Sequence, residues 1–200
     1  MKTIPFTKPN IEIITTALSG NQPVILPTDT IYGIHLPYQA KNLDLINKIK
    51  KRPLKQPCNV IYSHVSQITN LANESEIQKL YKLKNVPEIT VIVTDPDNTV
   101  GQAIRLIRFD SHPILYELLS KSGPLYSSSA NVSGETYNPT PEVIIEKFKD
   151  KIAIFATKET VLSNIEPSTI IDIRGSGYQI IRPGIVSRET IDRFITDNVS

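Results

Sequence analysis

The chain has 200 residues, with 22 Lys and Arg against 20 Asp and Glu, so its net charge of +2 does not indicate a generic polybasic coat for nucleic acid. Its 40% apolar and 21% charged content is ordinary for a soluble globular protein, and the length suits one domain over residues 1–200 with a substantial core. The single cysteine, Cys58, excludes an intrachain disulfide and fits a reducing compartment; it reads as a packed residue, since no nearby histidine supports thiolate chemistry. No apolar run approaches membrane-spanning length and Met1 to Phe6 lacks a signal-peptide core, so the expectation is a cytoplasmic protein with no membrane association.

Helical and strand patterns then alternate. Pro9 to Leu18 reads as a helix stopped by Gly20, followed by a buried strand at Val24-Ile25-Leu26. Asn42 reads as the cap of a second helix that carries Leu43, Ile46 and Ile49 and ends before Pro53. A strand is expected at Asn59 to Tyr62, and Asn73 with Glu76 makes a variant capping box for a third helix. Ile89 to Val93 and Ile104 to Phe109 read as strands, with Arg105 and Arg108 on opposite faces. Pro113 opens a helix closed by Gly123, and Leu125-Tyr126 leads into a serine run. Thr140-Pro141-Glu142 starts a helix through Phe148, and Ile152 to Phe155 reads as a strand. Thr169 to Ile173 and Tyr178 to Ile181 flank a hairpin turn, and Ser187 caps a last helix through Phe194. Hairpins mixed with helix-separated strands predict an α/β fold with a mixed sheet.

Four polar patches fall where these elements end: Pro27-Thr28-Asp29-Thr30-Ile31-Tyr32-Gly33, Lys50-Lys51-Arg52-Pro53, Ser127 to Asn131, and Arg182-Pro183-Gly184. Hydroxyls, amides and cations at strand and helix ends suit a phosphorylated ligand, so the four together predict one composite anion site. Each alone has a plainer reading. Lys50 to Arg52 complements the end of a helix dipole, and the serine run reads equally as a loop or a site. The Walker A loop, the dinucleotide glycine pattern, the Gly-x-Ser-x-Gly elbow and paired zinc histidines are all absent from the sequence. His35, His64 and His112 are isolated in sequence and read as surface or capping residues.

Taken in order, these stretches resemble the YrdC-like family, whose members include threonylcarbamoyl-adenylate synthases. The resemblance rests on Pro27, Thr28, Asp29, Thr30, Tyr32 and Gly33; on Lys50, Arg52, Pro53 and Pro57; on Arg108 before His112-Pro113; on Ser129, Asn131, Ser133 and Gly134, with Pro139-Thr140; on Ser168-Thr169; and on Arg182 and Gly184. It covers nearly the whole chain. It implies a twisted mixed sheet with flanking helices around a concave basic cavity. It also implies conversion of L-threonine, bicarbonate and ATP into threonylcarbamoyl-AMP and pyrophosphate, for threonylcarbamoyladenosine modification of tRNA.

By family position, Lys50, Arg52, Ser129 and Asn131 would serve catalysis. Arg52, Gln56, Ser129, Asn138 and Arg182 would hold ATP, and Thr30, Arg108, Ser127 and Ser168 would hold threonine. Mg2+ would enter only through the nucleotide phosphates. tRNA or double-stranded RNA, and other proteins of the tRNA-modification pathway, are the further partners the resemblance implies.

Three segments depart from the family pattern: Asn85 to Thr90, Ser163 to Pro167, and Ile61 where a histidine is usual. No counterpart of the extra C-terminal domain of longer relatives is expected. Two alternatives therefore stand beside the synthase: a non-catalytic RNA-binding module of the same fold, and a paralogous carbamoyl-adenylate enzyme with a different acceptor.

Overall fold

The computed structural model describes residues 1–28, 31–54, 56–86, 89–95, 98–158 and 168–196. In chain order the elements are β1 (Lys2–Pro5), α1 (Ile11–Ser19), β2 (Val24–Pro27), β3 (Tyr32–Pro37), α2 (Ala40–Ile49), β4 (Asn59–Tyr62), α3 (Glu74–Leu83), β5 (Ile89–Asp95), β6 (Asn98–Leu106), α4 (Pro113–Ser122), β7 (Leu125–Ser129), α5 (Pro141–Phe148), β8 (Ile154–Thr157), β9 (Thr169–Asp172), β10 (Gln179–Arg182) and α6 (Arg188–Thr196). Among the described residues the strands form a ten-stranded mixed sheet in the order β1-β8-β2-β3-β7-β4-β6-β5-β9-β10.

The alternation along each strand sorts side chains onto two faces. On one face Ile25, Ile34, Val60, Tyr62, Val91, Ile104, Tyr126 and Ile171 are buried beneath α2, α3, α5 and α6. On the other, Val24, Leu26, Ile61 and Leu125 pack against α1 and α4 through Ile14, Leu18, Leu115 and Leu118. Fully burying an aliphatic side chain of this kind contributes roughly 1.5–3 kcal/mol.

Local chemistry sets the helix ends. Asn73 Oδ1 accepts from the Glu76 amide at 3.0 Å while Glu76 Oε2 accepts from the Asn73 amide at 3.0 Å, the reciprocal pair expected of a capping box. Gly123, at φ 78°, ends α4 in a conformation that side-chain-bearing residues avoid.

Several sequence expectations need correction. The α2 cap is Gln39, not Asn42; Asn42 lies in the first turn, buried, and its Nδ2 donates to Pro37 O at 3.0 Å and to Asn21 Oδ1 at 2.9 Å. β1 and β3 were not expected. β1 is an edge strand that buries only Ile4, so it has no apolar run to read. β3 carries Gly33 and ends on Pro37, which read as turn signals. His35 is neither surface nor cap: it is fully buried in β3. The serine run is the C-terminal half of β7 rather than a loop.

Candidate active site

The end of α2 is built by a Schellman turn. Lys51 adopts the left-handed region at φ 53°, its amide donates to Lys48 O at 3.1 Å, and the Arg52 amide donates to Asn47 O at 3.0 Å. This turn throws Lys50 and Arg52 in different directions. The Lys50 ammonium is buried against the end of β7. It donates to the Ser129 carbonyl, to Asn131 O at 2.7 Å, to Asn131 Oδ1 at 3.1 Å, and meets Ser129 Oγ at 3.3 Å. Burial and then the neighbouring Arg52 hold this ammonium down at about 8. Arg52 Nε donates to Asn47 Oδ1, while its Nη2 is buried with no hydrogen-bond partner among the described residues.

Arg52 lines a cavity of about 380 Å³. Its floor is the uncovered part of the sheet face that α1 and α4 cover elsewhere. Register explains its membership. Gly33 of β3 stands opposite Ser129 of β7, Ser127 stands opposite Asn59 of β4, and Ile61 stands opposite Arg105 of β6. Beyond them come Ala103, then Thr90 of β5, Ile170 of β9 and Arg182 of β10. Three arginines line the cavity, and no Asp or Glu does among its described lining residues.

The hydroxyls are differently engaged. Ser129 Oγ donates to Asn131 Oδ1 at 2.5 Å. Ser168 lies within 3.0 Å of Thr90 Oγ1, and its carbonyl accepts from Arg182 Nη2 at 2.8 Å. Ser127 Oγ meets His35 Nε2 at 3.1 Å. Cys58 Sγ donates to Ser127 O at 3.3 Å, and burial pushes this thiol up against the pull of Arg52.

A family model described as Telomere recombination (Sua5/yciO/yrdC) matches residues 16–184. The chain belongs to the Sua5/yciO/yrdC family. Among its relatives, a threonylcarbamoyl-AMP synthase of Bacillus subtilis (strain 168) is 29% identical over 199 residues, covering 94% of this chain and 57% of that protein. A putative threonylcarbamoyl-AMP synthase of Mycobacterium tuberculosis (strain ATCC 25618 / H37Rv) is 27% identical over 188 residues, covering 88% of this chain and 84% of that protein. The crystal structure of P. abyssi Sua5 complexed with L-threonine superposes with a TM-score of 0.80 at 22% identity, covering 98% of this chain and 60% of that chain. This chain thus spans less than two thirds of the Bacillus and P. abyssi proteins. The mixed sheet with flanking helices is the fold of the Sua5 structures.

Within the Sua5/yciO/yrdC chain, the residues singled out by sequence divide sharply. Arg52, Ser127, Ser129, Ser168 and Arg182 line the cavity. Lys50 and Asn131 stand behind Ser129, held to one another. Gln56 is exposed and lies outside the lining, as does Asn138, whose Oδ1 accepts from the Thr140 amide at 2.9 Å. Arg108 also lies outside it: its guanidinium bonds Asp110 and the Asn85 carbonyl. Thr30, Asp29, Pro87 and Ser163 to Pro167 fall outside the described residues.

Sequence reasoning passed over Arg105, buried on the cavity floor, and the His35–Ser127 pair. Arg105 had a signal, a cation between Ile104 and Leu106 at the apolar end of β6. Tyr32, of the same motif as Gly33, faces the opposite way, onto Phe155 at 5.2 Å, and takes a structural place.

Proposed function

We propose that this chain is a threonylcarbamoyl-AMP synthase, which joins L-threonine, bicarbonate-derived CO2 and the adenylyl group of ATP and releases pyrophosphate, feeding threonylcarbamoyladenosine modification of tRNA in the cytoplasm. The observation that carries this reading is the gathering of Arg52, Arg105 and Arg182 with Ser127, Ser129 and Ser168 on one sheet face. The names of the relatives support it.

The threonine amine adds to CO2 to give a carbamate and loses a proton. A carbamate oxygen then attacks the α-phosphorus, and the bond to the pyrophosphate oxygen breaks. Neither step needs a protein nucleophile; both need orientation and charge neutralisation. Guanidinium groups supply that neutralisation, binding carboxylate or phosphate oxygens two at a time. Arg52, with a buried unused Nη2, and Arg182 suit the triphosphate; Arg105, deeper on the floor, suits the amino-acid carboxylate. Lys50 acts through its neighbours, fixing Ser129 and Asn131 rather than meeting phosphate itself. The donor set of the described lining residues, arginines and hydroxyls without a carboxylate, does not suit a resident Mg2+. The ion would arrive on the nucleotide phosphates as part of the substrate.

The test is pyrophosphate release dependent on ATP, L-threonine and bicarbonate, with release falling strongly in Arg52→Ala and Lys50→Ala. No pyrophosphate above background with all three substrates present overturns the reading. A panel of amino acids in the same assay separates it from an enzyme with another acceptor.

A further inference from the structure

A second cavity, of about 740 Å³, lies on the opposite side of the same strands. Ala103 of β6 and Ser127 of β7 line the first cavity, while their chain neighbours Gln102 and Tyr126 point the other way and line the second. Pro57 lines both. Its volume falls within the range of small-molecule sites, about 300–1,000 Å³. No step of the proposed reaction uses this space.

One buried group in it points to an occupant. Gln102 is 4% exposed. Its Nε2 donates to Cys58 O at 2.6 Å and to Ala103 O at 2.8 Å. Main-chain carbonyls only accept, so the amide nitrogen must be the atom that faces them, and the orientation of the side-chain amide is fixed. Both of its hydrogens are thereby used inside the protein. Gln102 Oε1, with no hydrogen-bond partner among the described residues, is the acceptor this side chain brings to the cavity. A sheltered amide oxygen without a donor is unfavourable, and an N–H group from a ligand relieves it.

The walls say what kind of donor fits. Tyr38 and Tyr126 meet edge to face with ring centroids 4.9 Å apart. Burial, and after it Tyr38, Cys58 and Asp95, hold the Tyr126 phenol above its usual range, so this group stays neutral and feels the Asp95 carboxylate. Among the described lining residues Asp44 and Asp95 are the carboxylates and Lys41 is the cation. The balance of charge is therefore the reverse of that in the arginine-lined cavity across the sheet. Aromatic faces and carboxylates both attract positive ions.

We propose that the second cavity binds a small organic ammonium ion, with an N–H of the ion donating to Gln102 Oε1 and its charge held by Asp95 and the tyrosine rings. A neutral alcohol of the same size keeps a donor but lacks the charge, and a carboxylate lacks both. The site stands apart from the anion cavity and does not depend on the reaction proposed for it.

The test is a titration of the full chain with 1,4-diaminobutane at low salt, followed by NMR of the backbone and side-chain amides. Saturable shifts should centre on Gln102, Asp95 and Tyr126 and be absent at Arg52 and Arg182, with Kd below about 1 mM. n-Butanol and butyrate should bind at least about tenfold more weakly. Asp95→Asn and Gln102→Met, each checked for folding by near-ultraviolet circular dichroism, should each weaken the diamine at least about fivefold. Tetramethylammonium, which has no N–H, should lose affinity in Asp95→Asn and keep it in Gln102→Met. Asp95→Asn, whose side chain keeps its shape, carries the test by itself if Gln102→Met does not fold. Shifts that never saturate, butanol binding as well as the diamine, or an Asp95→Asn protein with wild-type affinity overturns the proposal.

Discussion

Lys50 and Ser129 are 79 residues apart in the chain, yet the ammonium of one donates to the carbonyl of the other and lies 3.3 Å from its hydroxyl. The end of α2 is thereby fastened to the end of β7, and the Ser133 amide returns the tie by donating to Lys50 O at 3.0 Å. The cationic form of Lys50 holds the strand end on which Ser129 faces the cavity.

Stability and activity should therefore move in opposite directions at alkaline pH. The folded ammonium titrates near 8 against 10.5 for the free side chain. Between those values the unfolded chain binds the extra proton, so this group's contribution to stability rises with pH across that window. Pyrophosphate release should fall as pH passes through about 8, because the neutral amine donates less strongly to Ser129 and Asn131. Lys50→Arg, which stays charged, should shift that limb upward. A pH–rate profile flat between about 7 and 9.5 would contradict this role.

Arg105 and Arg108 should behave very differently. Arg105→Ala removes a buried cation from the cavity floor and should lower kcat/KM for threonine by at least about a hundredfold. Arg108→Ala breaks a partly exposed pair with Asp110 and should leave kcat/KM within about threefold. Steady-state kinetics on both variants decide it, and the reverse order would return the carboxylate to Arg108.

Gly33→Ala should cost roughly 1–3 kcal/mol in urea unfolding, since its methyl would meet the buried His35 ring, which has nowhere to move. The same change should weaken threonine binding more than ATP binding, because it displaces His35 beside Ser127. A variant with wild-type stability and affinity would show that the close approach is not needed.

Away from the cavity, Glu76 ties α3 to β5. It is buried, and its Oε1 accepts from the Thr94 amide at 3.0 Å and from Thr94 Oγ1 at 2.6 Å. Glu76→Ala leaves those donors unmatched and should cost roughly 2–4 kcal/mol, against about 1 kcal/mol for Asn73→Ala. Equal losses in denaturant unfolding would show that the helix cap alone matters.

Much of the fold was legible because its signals are local. The spacing of Ile11, Ile14 and Leu18, the Asn73–Glu76 box and Gly123 all act within a turn or two of chain, and each sits where the pattern places it. The cavity was legible only in part. Arg52, Ser127, Ser129, Ser168 and Arg182 were named by motif and meet on one face. Counting back from His112-Pro113 selected Arg108, but β6 ends at Leu106, and alternation puts Arg105, not Arg108, beside Ala103 over the floor. The Lys50 and His35 contacts were hidden for another reason: they join residues 79 and 92 apart, and no local pattern encodes which strands become neighbours.

The strand order carries a consequence for how the protein comes to life. The floor exists only once β3 has found β7, β7 has found β4, and β5 has found β9, pairings that each close a long stretch of chain. Non-local pairings of this kind form slowly, after their loop entropy has been met. A chain emerging from synthesis therefore has no half-built receptor to offer. Its capacity to recognise a small molecule arrives all at once, with the final cooperative closure of the sheet.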